Sequence, residues 1–557
     1  MESKAKTRYL ALLALITVSV GLLAPNLGTV SFWDPDEARY AECARNAIEH
    51  GHWIVPYYNG HPRIVKPPLM VWLVAISSLA LNQGKVNEFT SRLPSLLAGV
   101  GTVVVTFLMG LALLESEILA FLAGFILATT FLFYKQARFA ITDMVLLFFL
   151  TLAIYAFYRL VEGENKKFAW LMYGALGLAT MDKGPAVGLV LPSLIFLAYL
   201  WAKGELGKIK LLLHPPGILL YLAIVLPWPL LLGKKYLVDF LWKNNLKRFA
   251  DNPSWKTPFW FYLVNFPTHF TPWIAFLPLV GAALKKKQEE IGQIALPLTW
   301  FTVTFVIFSI SDTKRSSYIL PLYPAAALIT SWAIGKGLEM KEELTGAWRL
   351  SLGLFVAVIL AYSLGLVYMF VRQVPLFTPT ATAALGLAVI ISAFIAFTAK
   401  LKNFQEGLLL AGASALVLAL GYTAFYQPLF DKYYHSPKPY CLDIKARVGE
   451  APLYKYGSIR SYDIFYIGKG KISSLPKTGA PSAPFFVMTR KEKLKSLLKK
   501  HPYLAVVKEY PFRDMVIVLL KGQKPPLPPS EGDTGKKRKR KDERNPYFHN
   551  HTHLQST

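Results

Sequence analysis

WDPDEARYAECARNAIEHGHWIVPYYNGHPRIVKPP (residues 33–68) follows the first apolar run of the chain and gathers its densest collection of acids, bases and aromatics. Around it the sequence is almost entirely apolar. The 557 residues are 54% hydrophobic, the mean hydropathy is +0.36, and uncharged runs of about 20 residues recur along the chain. The expected fold class is therefore an all-α polytopic membrane protein, in which a charged loop of this length does more than connect helices. The formal net charge of +27 sits largely in short inter-helix loops and in the tail KKRKRK (536–541). A membrane protein accounts for it without nucleic acid as a partner. Lys4, Lys6 and Arg8 precede the apolar run 9–27, which lacks a small-residue cleavage site, so the run reads as a retained first span with its N-terminus in the cytoplasm. Cys43 and Cys441 form no metal or redox spacing.

The apolar runs counted as spans are 9–28, 92–114, 117–134, 143–160, 168–182, 184–201, 211–232, 259–283, 293–310, 317–335, 348–371, 376–398 and 406–426, thirteen in all. The stretch 67–81 is apolar but only about 15 residues long, and it starts with a double proline. That favours a re-entrant or surface-lying helix over a crossing. Parity supports the choice. It leaves the lysine-rich loops 162–167, 202–210, 285–290, 335–343 and 400–403 inside, as the positive-inside rule asks. The loop 29–91, the turns 140–143, 181–185 and 311–318, the basic loop 233–256 and the segment after Tyr426 then share the outer side. That last segment mixes strand-like runs (PFFVM, 484–488; MVIVLL, 515–520) with a helical pattern (KEKLKSLLKK, 491–500). The expected organisation is a transmembrane domain over 1–426, a small extracytoplasmic α/β domain over 427–521, and a disordered basic tail over 522–557.

Within 33–68, Asp34 suits the N-cap of a helix running to His50, Pro35 suits its first turn, and Glu37 completes a capping-box-like arrangement. Capping explains Asp34 and Glu37 better than Asp36. Asp36, Arg39, Tyr40 and Cys43 follow i, i+3, i+4, i+7 spacing and share one helix face. Asp143 stands at the outer mouth of a span, where capping the helix is the simpler account. Lys66, beside Pro67 and Pro68, reads either as a snorkelling lysine or as a point charge for a phosphate. Arg39, Arg63, Lys183, Arg248, Lys314 and Arg315 make the outer face basic, suiting either lipid headgroups or an anionic lipid-linked substrate. His50, His52 and His61 lack regular metal-ligand spacing, and no metal is expected.

Taken together, PDEARYAECARNAIEHGHWIVP (35–56), KPPLMVW (66–72), FTSRLPSLLAG (89–99), ARFAITDM (137–144), DKGPAVGLV (182–190), RFADNPSWKTPFWFYL (248–263) and SDTKRSSYILPLYPAAALI (311–329) resemble a family. It is the integral membrane glycosyltransferases of the C fold, on the branch of dolichyl-phosphate-mannose protein mannosyltransferases and the bacterial 4-amino-4-deoxy-arabinose lipid A transferase. The resemblance implies two membrane-surface helices in the first outer loop, at 36–50 and 67–81. It implies Asp36 and Asp143 at the catalytic centre, with Lys66 on the lipid phosphate. Arg39 and Tyr40 match the Arg-Tyr after the first acid, and Arg248 a basic residue of a later outer loop. In the aminoarabinose transferases the residue before this lysine is commonly a glutamate associated with a metal site. Here it is Val65, so the resemblance names neither that metal nor that sugar.

The implied reaction moves a sugar from a polyprenyl-phosphate donor to a lipid A, glycan or protein acceptor on the extracytoplasmic face of the plasma (inner) membrane. Cleavage of the anomeric bond loads charge onto the phosphate, which Lys66 with Arg39, Arg248 or Arg315 stabilises; Lys183 adds to the same basic surface. No nucleotide, divalent cation or other cofactor is needed. Asp36 or Asp143 serves as general base if the acceptor is a hydroxyl. If it is a phosphate it is already anionic, and the carboxylates orient it instead. The competing class, a lipid-linked sugar flippase or transporter, requires a polar path through the bundle, whereas the span interiors are uncharged.

Overall fold

The computed structural model describes residues 2–32, 35–163, 165–233, 257–286, 288–373, 404–432, 436–476, 481 and 484–522. The span expected at 376–398, the tail and most of the basic loop 233–256, including Arg248, lie outside the described residues.

Eight helices among the described residues are long and apolar enough to cross a membrane. The first helices are α1 (Glu2–Leu23), α2 (Pro35–His50), α3 (Leu69–Asn82), α4 (Glu88–Leu114), α5 (Glu117–Thr129), α6 (Phe131–Gln136), α7 (Thr142–Gly163) and α8 (Lys167–Lys183). Burial sorts the bundle into centre and rim. The apolar window of Ser316–Glu339 is 94% buried, whereas that of Pro215–Leu232 is 17% buried and faces outward.

Proline breaks several runs that hydropathy reads as single helices. The run 259–283 becomes Phe261–His269, a 3-10 turn Trp273–Phe276 and Leu277–Lys286. Pro272 lies in the break and has no N–H with which to continue the ladder. The run 117–134, which holds no proline, is divided into α5 and α6 at Thr130, an extended residue (φ −73, ψ 131).

The charged loop between α1 and α4 has regular structure of its own. α2 and the 14-residue α3 flank a short hairpin, β1 (Tyr57–Tyr58) with β2 (His61–Pro62). Its turn is Asn59-Gly60 with φ of +52 and +75, the left-handed pair that a tight two-residue hairpin demands. α4 then starts on a capping box. The Asn87 side chain accepts from Thr90 N–H at 2.9 Å, and the Thr90 hydroxyl accepts from Asn87 N–H at 3.1 Å.

After residue 436 the chain forms a five-stranded sheet of order β4-β3-β5-β7-β6. The strands are β3 (Leu453–Tyr456), β4 (Ser473–Ser474), β5 (Phe485–Arg490), β6 (Leu504–Phe512) and β7 (Met515–Gly522). β3 runs parallel to β5, and β7 is antiparallel to both β5 and β6. The helix Lys491–Lys500 buries Leu497 against this sheet and turns its lysines outward.

This unit sits on the charged loop between α1 and α4. The Tyr466 hydroxyl accepts from Phe32 N–H at 2.9 Å and donates to Glu88 at 2.7 Å. Lys438 pairs with Glu88 at 2.6 Å. Arg45 donates to the Phe465 carbonyl at 3.1 Å, and Asn59 accepts from Ile472 N–H at 2.7 Å. The C-terminal sheet unit and the charged loop therefore occupy the same end of the bundle. Cys43 and Cys441 are both buried free thiols.

Candidate active site

Glu37 fixes where the site forms. Its carboxylate is fully buried and takes a fork from Arg92, with Nε at 2.8 Å and Nη2 at 3.1 Å. The remaining donors of Arg92 go to the carbonyls of Leu27, Val30 and Ser31. Glu37 also accepts from Ala140 N–H at 2.9 Å. One residue thus joins α2, α4 and the turn leading into α7. From sequence Glu37 was expected as a cap with Asp34, which lies outside the described residues; in the fold Glu37 is the carboxylate of a buried ion pair.

The neighbouring carboxylate faces the other way. Asp36 meets Arg39 at 2.8 Å, Arg63 at 3.6 Å and Arg315 at 3.7 Å. Arg39 lies one helical turn along, as the i, i+3 spacing predicts. Burial alone would raise the Asp36 carboxyl, but Lys66, Arg39 and Arg63 outweigh it and hold the group below the ordinary carboxylate value.

Lys66 enters from the segment before α3 and donates to the Thr142 hydroxyl at 2.9 Å. It lies 5.9 Å from the Tyr40 ring centroid, and Arg63 lies 5.5 Å from the same centroid. Burial would depress its ammonium, yet Tyr40, Asp143, Asp36 and Asp182 raise it above the usual lysine value, so it stays charged. Asp143, the second residue of α7, pairs with Lys183 and accepts from the Ser317 hydroxyl. Lys183 is the last residue of α8, which ends at Gly184 with φ +101. A residue with a Cβ adopts that backbone at a steric cost. Its ammonium lies 5.2 Å from the Tyr318 ring centroid.

The structure brings together Asp36, Arg39, Tyr40, Lys66, Asp143, Lys183 and Arg315, with Lys66 electrostatically coupled to both acids. Arg63, counted only as part of a basic face, is a direct partner of Asp36. Lys314 departs from expectation. It is buried and donates to the carbonyls of Ser311 at 2.6 Å and Thr257 at 3.2 Å, so it braces the turn that presents Arg315.

Sequence reasoning missed Asp182. It is fully buried, and neither carboxylate oxygen has a hydrogen-bond partner. Its signal was an acid at the mouth of an apolar run, in MDKGP (181–185). Among the described residues no three His, Cys, Asp or Glu side chains converge as a metal set. His52 instead stacks on Tyr57, with centroids 4.0 Å apart.

A helical bundle thus carries a cluster of acids and bases at one end, beneath an α/β unit. Residues 8–242 match the family described as dolichyl-phosphate-mannose-protein mannosyltransferase. An uncharacterised protein of Aquifex aeolicus is 36% identical over 326 residues, 58% of this chain and 63% of that protein. The undecaprenyl phosphate-alpha-4-amino-4-deoxy-L-arabinose arabinosyl transferase of Pectobacterium atrosepticum is 28% identical over 402 residues, 71% of this chain and 66% of its own. The chain thus spans just under two thirds of the length of these two curated relatives. The crystal structure of ArnT from Cupriavidus metallidurans bound to undecaprenyl phosphate superposes with a TM-score of 0.74 at 20% identity, covering 91% of this chain and 97% of that one. The resemblance read from the motifs is borne out, and the chain is a multi-span membrane protein of that fold.

Proposed function

We propose that this protein transfers a sugar from a polyprenyl-phosphate donor to an acceptor at the outer face of the inner membrane. The observation that carries the reading is the convergence of Asp36 and Asp143 on Lys66, roofed by Arg315 and flanked by Arg39, Arg63 and Lys183. The names of the arabinosyl transferase relatives supply the donor class, an undecaprenyl phosphate sugar. The reading includes thirteen crossings, the division of the chain at 426 and 521, and a centre on the extracytoplasmic side.

In this reading the donor phosphate takes the place of Asp36 as partner of the guanidinium groups, with Lys66 beneath it. As the anomeric bond breaks, the charge gathering on the phosphate oxygens meets cations that are already in place. Free Asp36 is held too acidic to serve as a strong base, since an efficient base titrates near the working pH. The phosphate draws the cations away and restores its basicity. An acceptor that is itself a phosphate needs no base, and lipid A, the acceptor the resemblance implies, fits that chemistry. Arg248 and Tyr40 complete the substrate-binding set in this reading. Val65 leaves the sugar open among pentoses and hexoses.

The test uses purified full-length protein in vesicles with undecaprenyl-phosphate 4-amino-4-deoxy-L-arabinose and lipid A. Mass spectrometry showing sugar on the acceptor and free undecaprenyl phosphate as co-product supports the proposal. Donor that crosses the bilayer intact, with no bond cleaved, overturns it in favour of a flippase.

A further inference from the structure

Asp182 is at odds with the rest of the centre. Asp36 is surrounded by guanidinium groups and Asp143 is paired with Lys183. Asp182, at the end of the same helix that supplies Lys183, is 0% exposed and makes no hydrogen bond through either oxygen. The cations facing it, Lys66 and Lys183, spend their short contacts on Thr142 and Asp143. A second buried polar group at the centre is also unpartnered, the hydroxyl of Tyr40. Its ring borders Lys66 from α2, whereas Asp182 approaches Lys66 from α8.

Leaving a buried polar atom unbonded is costly, and more so for a carboxylate. Such an arrangement is worth keeping where a ligand completes it. Ring hydroxyls suit it chemically. A carboxylate accepts from two adjacent hydroxyls at once, and a phenol both donates and accepts. The charge balance agrees, because Lys66, Lys183, Arg39, Arg63 and Arg315 outnumber Asp36, Asp143 and Asp182. The positive surplus serves the phosphate, and a hydroxylated ring beside it brings donors to Asp182 without adding charge.

We propose that Asp182 and Tyr40 form the subsite that binds the hydroxyl groups of the donor sugar, next to the phosphate position at Lys66. This rests on the proposed function and deepens it. Asp182 is the discriminating acceptor, rejecting a ring that lacks the matching hydroxyls because its own oxygens then stay unpaired.

The experiment measures binding of two probes to full-length protein in detergent, undecaprenyl phosphate and undecaprenyl-phosphate 4-amino-4-deoxy-L-arabinose, together with transfer and thermal stability. Asp182→Ala is expected to leave the Kd for undecaprenyl phosphate within about twofold. It should weaken the sugar-bearing donor by roughly 10- to 100-fold, the range for losing hydrogen bonds to a charged group. Asp182→Asn, which keeps one acceptor oxygen, falls between. The Tm of Asp182→Ala stays within a few degrees of wild type, because no hydrogen bond of the ligand-free protein is removed.

Equal weakening of both probes overturns the inference, for Asp182 would then act only by holding Lys66 and Lys183. An unchanged Kd for the sugar-bearing donor also overturns it. In both cases wild-type protein still transfers sugar and the functional reading stands. Wild-type protein that transfers none removes that reading and this inference with it.

Discussion

Asp36 and Glu37 are adjacent on α2 and are held in opposite ways. Glu37 is buried in a two-point bond to Arg92 and ties three segments together. Asp36 shares three guanidinium groups at 2.8, 3.6 and 3.7 Å, one of them on a side chain 62% exposed. The first arrangement is a closed structural bond. The second is loose, and an incoming anion can replace it. A single helix turn thus provides both the anchor and the group it presents, so an error of one residue in register would exchange structure for chemistry.

The comparison breaks most visibly at the anchor. Arg92→Met strands the Glu37 carboxylate in the core and is expected to destabilise the protein by about 3–5 kcal/mol, read as a lower Tm or as loss of folded protein in detergent. Adding Glu37→Met to it removes the stranded charge and should recover part of that loss. A single variant as stable as wild type would mean that the pair does not hold α2.

At the centre, Lys66→Ala should raise the KM for donor by roughly 10- to 100-fold, the range for losing a charge-assisted contact to phosphate. An unchanged rate at limiting donor would remove Lys66 from phosphate binding. Arg315 is exposed, so Arg315→Ala should cost less than about tenfold, and the difference from wild type should shrink as salt is raised.

The pH response follows the sign of the Asp36 shift. Its cationic neighbours hold the folded value below the unfolded one. Its contribution to stability is therefore complete above the unfolded value, near 3.9, and is lost as pH falls through the lower folded value. Between about pH 5 and 8, kcat/KM should show no limb belonging to Asp36. In Lys66→Ala one of the lowering charges is gone, and the acid limb should move to higher pH.

Much of this was legible in the sequence. The spacing of Asp36 and Arg39 gave their contact. The double proline marks the start of the 14-residue α3, and the strand-like runs 484–488 and 515–520 overlap β5 and β7. Arg92 was hidden because it opens the apolar run 92–114 and its partner lies 55 residues away. Lys314 read as surface charge because its neighbours in sequence do not reveal that the carbonyl of Thr257, 57 residues away, will close over it together with that of Ser311. Asp182 was passed over because its distinguishing property, a lack of partners, exists only once α8 is packed. The broken helix at 259–283 could have been foreseen, since Pro272 stands in the run and hydropathy averages over it.

The most direct test compares the two adjacent acids by measuring sugar transfer and Tm together in Asp36→Asn and Glu37→Gln. The account predicts that Asp36→Asn keeps the wild-type Tm within a few degrees while turnover falls by about 10²-fold, the scale for losing a group that orients the reactants, and by up to about 10⁴-fold where Asp36 is the base, and that Glu37→Gln loses stability first. Full turnover in Asp36→Asn, or a collapse of its Tm matching that of Glu37→Gln, would contradict it.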